Sequence, residues 1–432
     1  MFRDRGFVGL IVCAGIACLC LFPFTANAEE FQAAARSALA NSPEMESARK
    51  DVHAAESQMK VVLAEYLPQL SGTLRTGGIT EDYADDSETY EETIARLSLS
   101  QEIIEFSKYY NIKKAGFEVD VAKAKLEDRE QALVLSAAKA WATYWKALRD
   151  REINADNVIT LADYVEGTEL RYEAGELTIA DVQLAKSKHE AALSQRNRFQ
   201  RNLAAAKENY TQVMLASPPG DIALPEIDIS RFELPGDEEA VSDHPSMRPL
   251  LKQAEANSMD VKRQRSGHLP SLSFESSVAH QTSGEYAHSR YPYNESTIGV
   301  VLKIPFFSGG GVYYATDRAQ AAEAGLLAEM RDLHFKLVRD LNTARSNYEI
   351  NREELEIAQH HVEYAKNTFL WMQEEFKLGT RTSVDVLLAL SAMVDARLQL
   401  ATAQEEHFTF IMDYLYALGI LSSVIEDAAS AN

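Results

Sequence analysis

The sequence predicts a mainly α-helical fold with a β-barrel part, in which a unit of two strands plus long coiled-coil helices occurs twice. Three observations predict it: internal matches at a nearly constant offset, proline-free helical stretches of unusual length, and short segments of apolar–polar alternation.

The first element is a leader. Arg3 and Arg5 precede an apolar run from Phe7 to Phe22, and Ala26-Asn27-Ala28 has the small-x-small pattern of a signal-peptidase site. Residues 1–28 are therefore expected to be a signal peptide, with Glu29 first in the mature chain. Cys13, Cys18 and Cys20 all lie within the leader, which leaves the exported chain without disulfides, thiolate metal sites or a cysteine nucleophile. The formal net charge is -22, of which Arg3, Asp4 and Arg5 contribute +1. So acidic a chain repels phosphate backbones, and no nucleic-acid partner is expected. Beyond the leader no run of about eighteen apolar residues occurs, so any membrane contact is expected through strands.

The duplication comes next. Ser42 to Ser71 aligns with His244 to Ser273 at an offset of 202, matching Pro43 with Pro245, Met45 with Met247, Ala54 with Ala256, and Leu67-Pro68 with Leu269-Pro270. Arg171 to Ala185 aligns with Glu375 to Ala389 at an offset of 204, matching Tyr172 with Phe376, Gly175 with Gly379, Thr178 with Thr382, and Asp181-Val182 with Asp385-Val386. Two matches in the same order define a first repeat over 29–216, a linker over 217–243, a second repeat over 244–421 and a tail over 422–432. The linker, rich in proline and acid, reads as a connector crossing the outside of a helical body.

Each repeat opens with a helix that ends where Pro68 or Pro270 restricts the preceding residue. Two strands follow. Ala95, Leu97 and Leu99 alternate with Arg96, Ser98 and Ser100, and Ile298, Val300, Leu302 and Ile304 share one face, a pattern that fits half-buried strands. "EDYADDSETYEE" lacks the glycine and the spaced glutamate of a calcium loop and reads as a solvated loop. Long helices come last. Val134, Ala138, Trp141, Trp145 and Leu148 form a coiled-coil seam, as do Val384, Leu387, Ser391, Val394 and Leu398. Trp141, Trp145 and Trp371 read as seam residues rather than a ligand box. From Ile112 to Ala174 no proline interrupts, and sixty-odd residues span about 90 to 100 Å as helix.

Gly175 and Gly379 break these helices. A glycine there can take positive φ and end one helix, while Thr178 or Thr382, with the aspartate that follows, can cap the next. A turn alone does not call for Arg381 and Asp385 as charges.

Four strands cannot close a membrane barrel, since about eight are needed and lipid tolerates no open edge. A homotrimer solves this by supplying twelve strands above a tube of helices. At this point the chain resembles the TolC-like outer membrane efflux family. The resemblance rests on the Pro43 and Pro245 helix starts, the Leu67-Pro68 and Leu269-Pro270 strand starts, "FFSGGG" at Phe306 to Gly311, and both glycine-broken helix pairs, and it covers essentially the whole mature chain. It implies a trimeric β-barrel in outer membrane lipid with a periplasmic α-helical tunnel. Its implied partners are a periplasmic adaptor and an inner membrane ABC or RND transporter, with secreted proteins or small molecules as cargo. It further implies a periplasmic gate in which Arg381 is the gate arginine, Asp181 belongs to its network and Asp385 forms an acidic ring at the tunnel mouth. Phe376 stands where the family has a tyrosine, and Leu388 where a second aspartate would stand.

No HExxH, GxSxG or phosphate loop occurs, and His360-His361 point to different helix faces, so neither catalysis, cofactor nor metal is expected. The alternative to a channel is a periplasmic coiled-coil adaptor or scaffold, which predicts strands without an outward apolar band.

Overall fold

The computed structural model describes residues 26–82, 87–232, 234–283 and 292–423. Residues 1–25 of the expected leader lie outside these, and Ala26 to Ala28 begin the first helix. The elements are α1 (Ala26–Asn41), α2 (Pro43–Ala64), β1 (Gln69–Asp82), β2 (Ser87–Ile104), α3 (Phe106–Glu173), α4 (Ile179–Met214), α5 (Asp237–Ser242), α6 (Arg248–Arg265), β3 (Ser271–Ser283), β4 (Tyr293–Lys303), α7 (Gly311–Lys377) and α8 (Ser383–Ala417). The chain divides into two units, one of residues 1–46, 129–244 and 336–432, the other of residues 47–128 and 245–335.

The second unit carries the sheet. Its order is β1-β2-β3-β4, every pair antiparallel. Pro68 and Pro270 immediately precede β1 and β3, where a residue lacking an N–H ends the helical pattern without costing a ladder bond. Tyr66 donates its hydroxyl to the Ile103 carbonyl at 2.9 Å, tying the start of β1 to the end of β2. Below the sheet, Lys114 of α3 and Arg263 of α6 converge on Asp260 at 3.2 and 3.0 Å. Burial works to raise the Asp260 pKa, and the hydrogen bonds from Arg263 and Lys114 overcome it and hold the carboxyl below its usual range.

The register sorts the sheet into two faces. Gly72 opposes Leu97 and Leu97 opposes Val278, while Leu70 opposes Leu99 and Ser276 opposes Ile298, so these residues share one apolar face. Arg96 pairs with Glu295 at 3.8 Å on the other face, where Gln281 also bonds Glu92. Within this chain the apolar face is uncovered: Leu74 is 74% exposed and Ile298 77%. The acidic segment is not simply a loop. Gly78 pairs with Glu91, Ile79 with Tyr90 and Asp82 with Ser87, so the ladder runs through most of it and only residues 83–86 lie outside the described residues. The buried ring of Tyr90 opposite Ile79 and the 3.0 Å contact between the Thr80 and Thr89 hydroxyls supply cross-strand pairs that carry the ladder outward.

The first unit is helical. Val134, Ala138, Trp141, Trp145 and Leu148 of α3 are all buried, with Phe31, Tyr210, Phe408, Met412 and Leu415 around them. Trp141 meets Phe31 edge to face at a centroid distance of 5.6 Å, a preferred aromatic geometry. The connector packs here through Ile222 and Phe232, and it is anchored where Trp141 Nε1 donates to the Ala223 carbonyl at 3.0 Å and the Tyr144 hydroxyl to the Pro219 carbonyl at 3.0 Å. Arg345 pairs with Asp237 at the start of α5. Two seam assignments are corrected. Trp371 is 70% exposed, because the inward stripe of α7 passes through Phe369 and Phe376, seven residues apart. Val384 is likewise exposed, and the inward stripe of α8 begins with Val386, Leu387, Leu390 and Val394.

Candidate functional site at the helix tips

Two helix–turn–helix tips lie in the first unit, one joining α3 to α4 and the other α7 to α8. Their backbones are built alike. Gly175 and Gly379 each have φ of +76°. The Gly175 N–H donates to the Tyr172 carbonyl at 2.9 Å and the Glu176 N–H to the Arg171 carbonyl at 2.8 Å; Gly379 donates to Phe376 at 3.1 Å and Thr380 to Glu375 at 3.0 Å. This paired pattern satisfies the last carbonyls of each long helix and requires a left-handed residue at the glycine.

The next helix starts with a capping box. The Thr178 hydroxyl accepts from the Asp181 N–H while Asp181 Oδ2 accepts from the Thr178 N–H at 3.0 Å, and Thr382 and Asp385 repeat the arrangement. The bonds from the Thr382 backbone, then from its hydroxyl, hold the Asp385 carboxyl below its usual range. Both aspartates expected at the gate are therefore engaged locally as caps.

The charges of the two tips are swapped. In the first, Arg171 on the last turn of α3 donates Nε to Glu176 Oε2 beyond the glycine, at 2.8 Å. In the second, Glu375 on the last turn of α7 accepts from Arg381 Nε beyond the glycine, at 2.7 Å. Among the described residues no hydrogen bond or ion pair links Arg381 to Asp181. Leu388 is 59% exposed, where the side chain of α8 faces away from the core.

Phe376 is buried at the meeting of the tips. Its ring lies 6.0 Å from that of Tyr164 and 4.4 Å from the Arg171 guanidinium carbon, and its carbonyl accepts from Arg171 Nη1 at 3.4 Å. Tyr164 in turn donates its hydroxyl to Ser383, 3.2 Å from both the carbonyl and the hydroxyl oxygen. Burial raises the Tyr164 pKa, so its hydroxyl remains a donor. Tyr164, Thr168, Arg171, Phe369, Phe376 and Leu390 line a cleft of about 280 Å³. Arg171, Tyr164 and Glu375 are the site residues that sequence reasoning missed. The signal for the first and last was present: the 204 offset sets Arg171 against Glu375, opposite charges at one repeat position.

Comparison with known proteins agrees with this architecture. A family model described as outer membrane efflux protein matches residues 34–214 and 238–407. Over 400 residues the chain is 25% identical to the outer membrane protein TolC of Vibrio cholerae, covering 88% of this chain and 89% of that one. It is 20% identical over 416 residues to the alkaline protease secretion protein AprF of Pseudomonas aeruginosa, covering 91% and 85%. Among solved structures, the Campylobacter jejuni CmeC outer membrane channel superposes with a TM-score of 0.80 at 14% identity, covering 93% of this chain and 89% of that one. That likeness shows a common fold.

Proposed function

The chain belongs to the outer membrane efflux protein family, and from that premise we propose that it is the passive exit duct of a tripartite export system. It is an outer membrane protein of the efflux and secretion class. On our reading three copies assemble, their sheets closing a twelve-strand barrel in outer membrane lipid and their helices continuing into the periplasm as a tunnel.

The single observation that carries this reading is the sheet. Among the described residues it has four strands, two unpaired edges and an apolar face left open, with Leu70, Leu74, Leu97, Val278 and Ile298 all more than half exposed. Such a sheet needs copies of itself at its edges and hydrocarbon on its face. The adaptor or scaffold reading, which expects no outward apolar band, loses ground on the same residues.

The repeats over 29–216 and 244–421, joined by the linker 217–243, then supply alternate helix pairs around the tunnel, and residues 1–28 direct export. A periplasmic adaptor and an inner membrane ABC or RND transporter dock on the helical end and supply the energy. The duct itself performs no catalysis. At its tip Asp181, Phe376, Arg381 and Asp385 sit in the narrowing helix pairs, and the tip contacts keep the resting duct shut. Cargo follows the partner: secreted protein with one transporter, small molecules with another.

The test is mass and conductance. Detergent-solubilised protein should weigh three chains and should insert into planar bilayers as a pore of low resting conductance. A monomeric mass, or bilayers that stay silent, would sink the reading.

A further inference from the structure

We infer that Arg171 is the positioning residue that fastens the tip of the second helix pair to the first, so that the resting closure depends on it more than on Arg381. The inference deepens the channel reading and rests on it.

Three contacts meet on one guanidinium. Nε is paired with Glu176 at 2.8 Å, Nη1 reaches the Phe376 carbonyl at 3.4 Å, and the cationic carbon lies 4.4 Å from the Phe376 ring. The first contact stays within its own tip; the other two cross to α7. The Phe376 carbonyl belongs to the last turn of α7, where partial negative charge accumulates, and Arg171 occupies the last turn of α3 as well. One cation therefore serves the C-terminal ends of both long helices. Only a planar guanidinium can donate edgewise to a carboxylate and a carbonyl while its face covers a ring.

Arg381 is placed differently. It lies beyond the glycine of its turn, its side chain is 44% exposed, and its bond is to Glu375 of the same tip. The Arg171 side chain is 28% exposed. The charge swap explains the difference: with the cation on the helix end the side chain reaches the neighbouring helix, and with the cation on the turn it reaches back along its own. Phe376 lacks a hydroxyl, so its ring face and carbonyl are what Arg171 can hold.

Planar-bilayer recordings on the full-length protein test this. Arg171→Ala should raise the open-state fraction roughly tenfold, the scale of losing a half-buried cation–π contact with its hydrogen bond. Arg171→Lys should recover part of the closure, since the charge remains and the stacking plane does not. Phe376→Leu, which keeps the carbonyl and removes the ring, should fall between them. Arg381→Ala should open the pore less than Arg171→Ala, and thermal unfolding should change little in any of the arginine variants. If Arg171→Ala conducts as the unmodified protein does, or if Arg381→Ala opens it more, the inference is overturned while the channel reading stands. If the unmodified protein forms no pore, both fall together.

Discussion

The two tips share one backbone and differ in what lies beneath it. Glycine φ, helix-end bonds and capping boxes coincide, with Thr178 at φ -92°, ψ 159° and Thr382 at φ -91°, ψ 160°. Yet α4 presents Gln183 and Lys186 where α8 presents Leu387 and Leu390. Six residues of α4 are buried against fifteen of α8, which makes α8 the inner helix and α4 the outer one. The turn is thus a common connector whose role is set by the helix that follows it.

Breaking that comparison starts with the helices. Leu390→Ala should cost about 2 to 5 kcal/mol in denaturant unfolding followed by circular dichroism, as for other buried leucines. Lys186→Ala, at the matching position, should stay within about 0.5 kcal/mol, since it loses only an exposed pair with Glu169. Equal costs at the two sites would erase the inner–outer distinction.

The turns themselves should respond alike. Nothing lies within 4 Å of a Cβ added at Gly175 or Gly379, so alanine there would cost only its left-handed backbone, about 1 to 2 kcal/mol at each site. A clear inequality would mean that one turn is held by contacts beyond its backbone. Below this stand the caps, where Thr178→Ala and Thr382→Ala should each lose about 1 kcal/mol. The Asp385 cap adds a pH dependence. Its pKa is depressed in the folded chain, so its stabilisation is present above the unfolded carboxylate value of about 3.9 and is lost as pH falls through the folded value. Asp385→Asn should flatten the acid limb of the stability profile.

The smallest effects sharpen the charge swap. Glu176→Gln and Glu375→Gln each break a pair at an exposed turn and should change stability by about 0 to 1 kcal/mol. Their conductances should differ nonetheless, because Glu176 steadies a guanidinium that crosses between tips and Glu375 steadies one that does not.

Much of the fold was legible because its signals are local or repeated. Pro68 and Pro270 mark the strand starts, and the Val134 to Leu148 stripe marks a seam that is buried throughout. Trp371 and Val384 misled because apolar residues on a long helix need not face its neighbours, and a stripe drifts relative to a fixed heptad. The strand face was legible only in part: alternation tells which residues share a face, and not what covers it. At the tips, the glycines and caps could be read from residue type. Arg171 showed only as a charge opposite Glu375 across the repeat, and its importance lies in reaching Phe376, 205 residues further along the chain.

The core around Trp141 joins distant parts of the same chain. Phe31 meets Trp141 at 5.6 Å and Phe408 at 5.9 Å, and Gln131 donates to Ser422 at 2.8 Å. The first described helix is therefore sealed by Phe408 of α8, 377 residues further along the chain than Phe31. This core cannot be completed until α8 joins it, and contacts of such long sequence separation form slowly. A chain lacking α8 would leave the Phe408 side of Phe31 facing water, so the packing itself discriminates between chains with and without that helix.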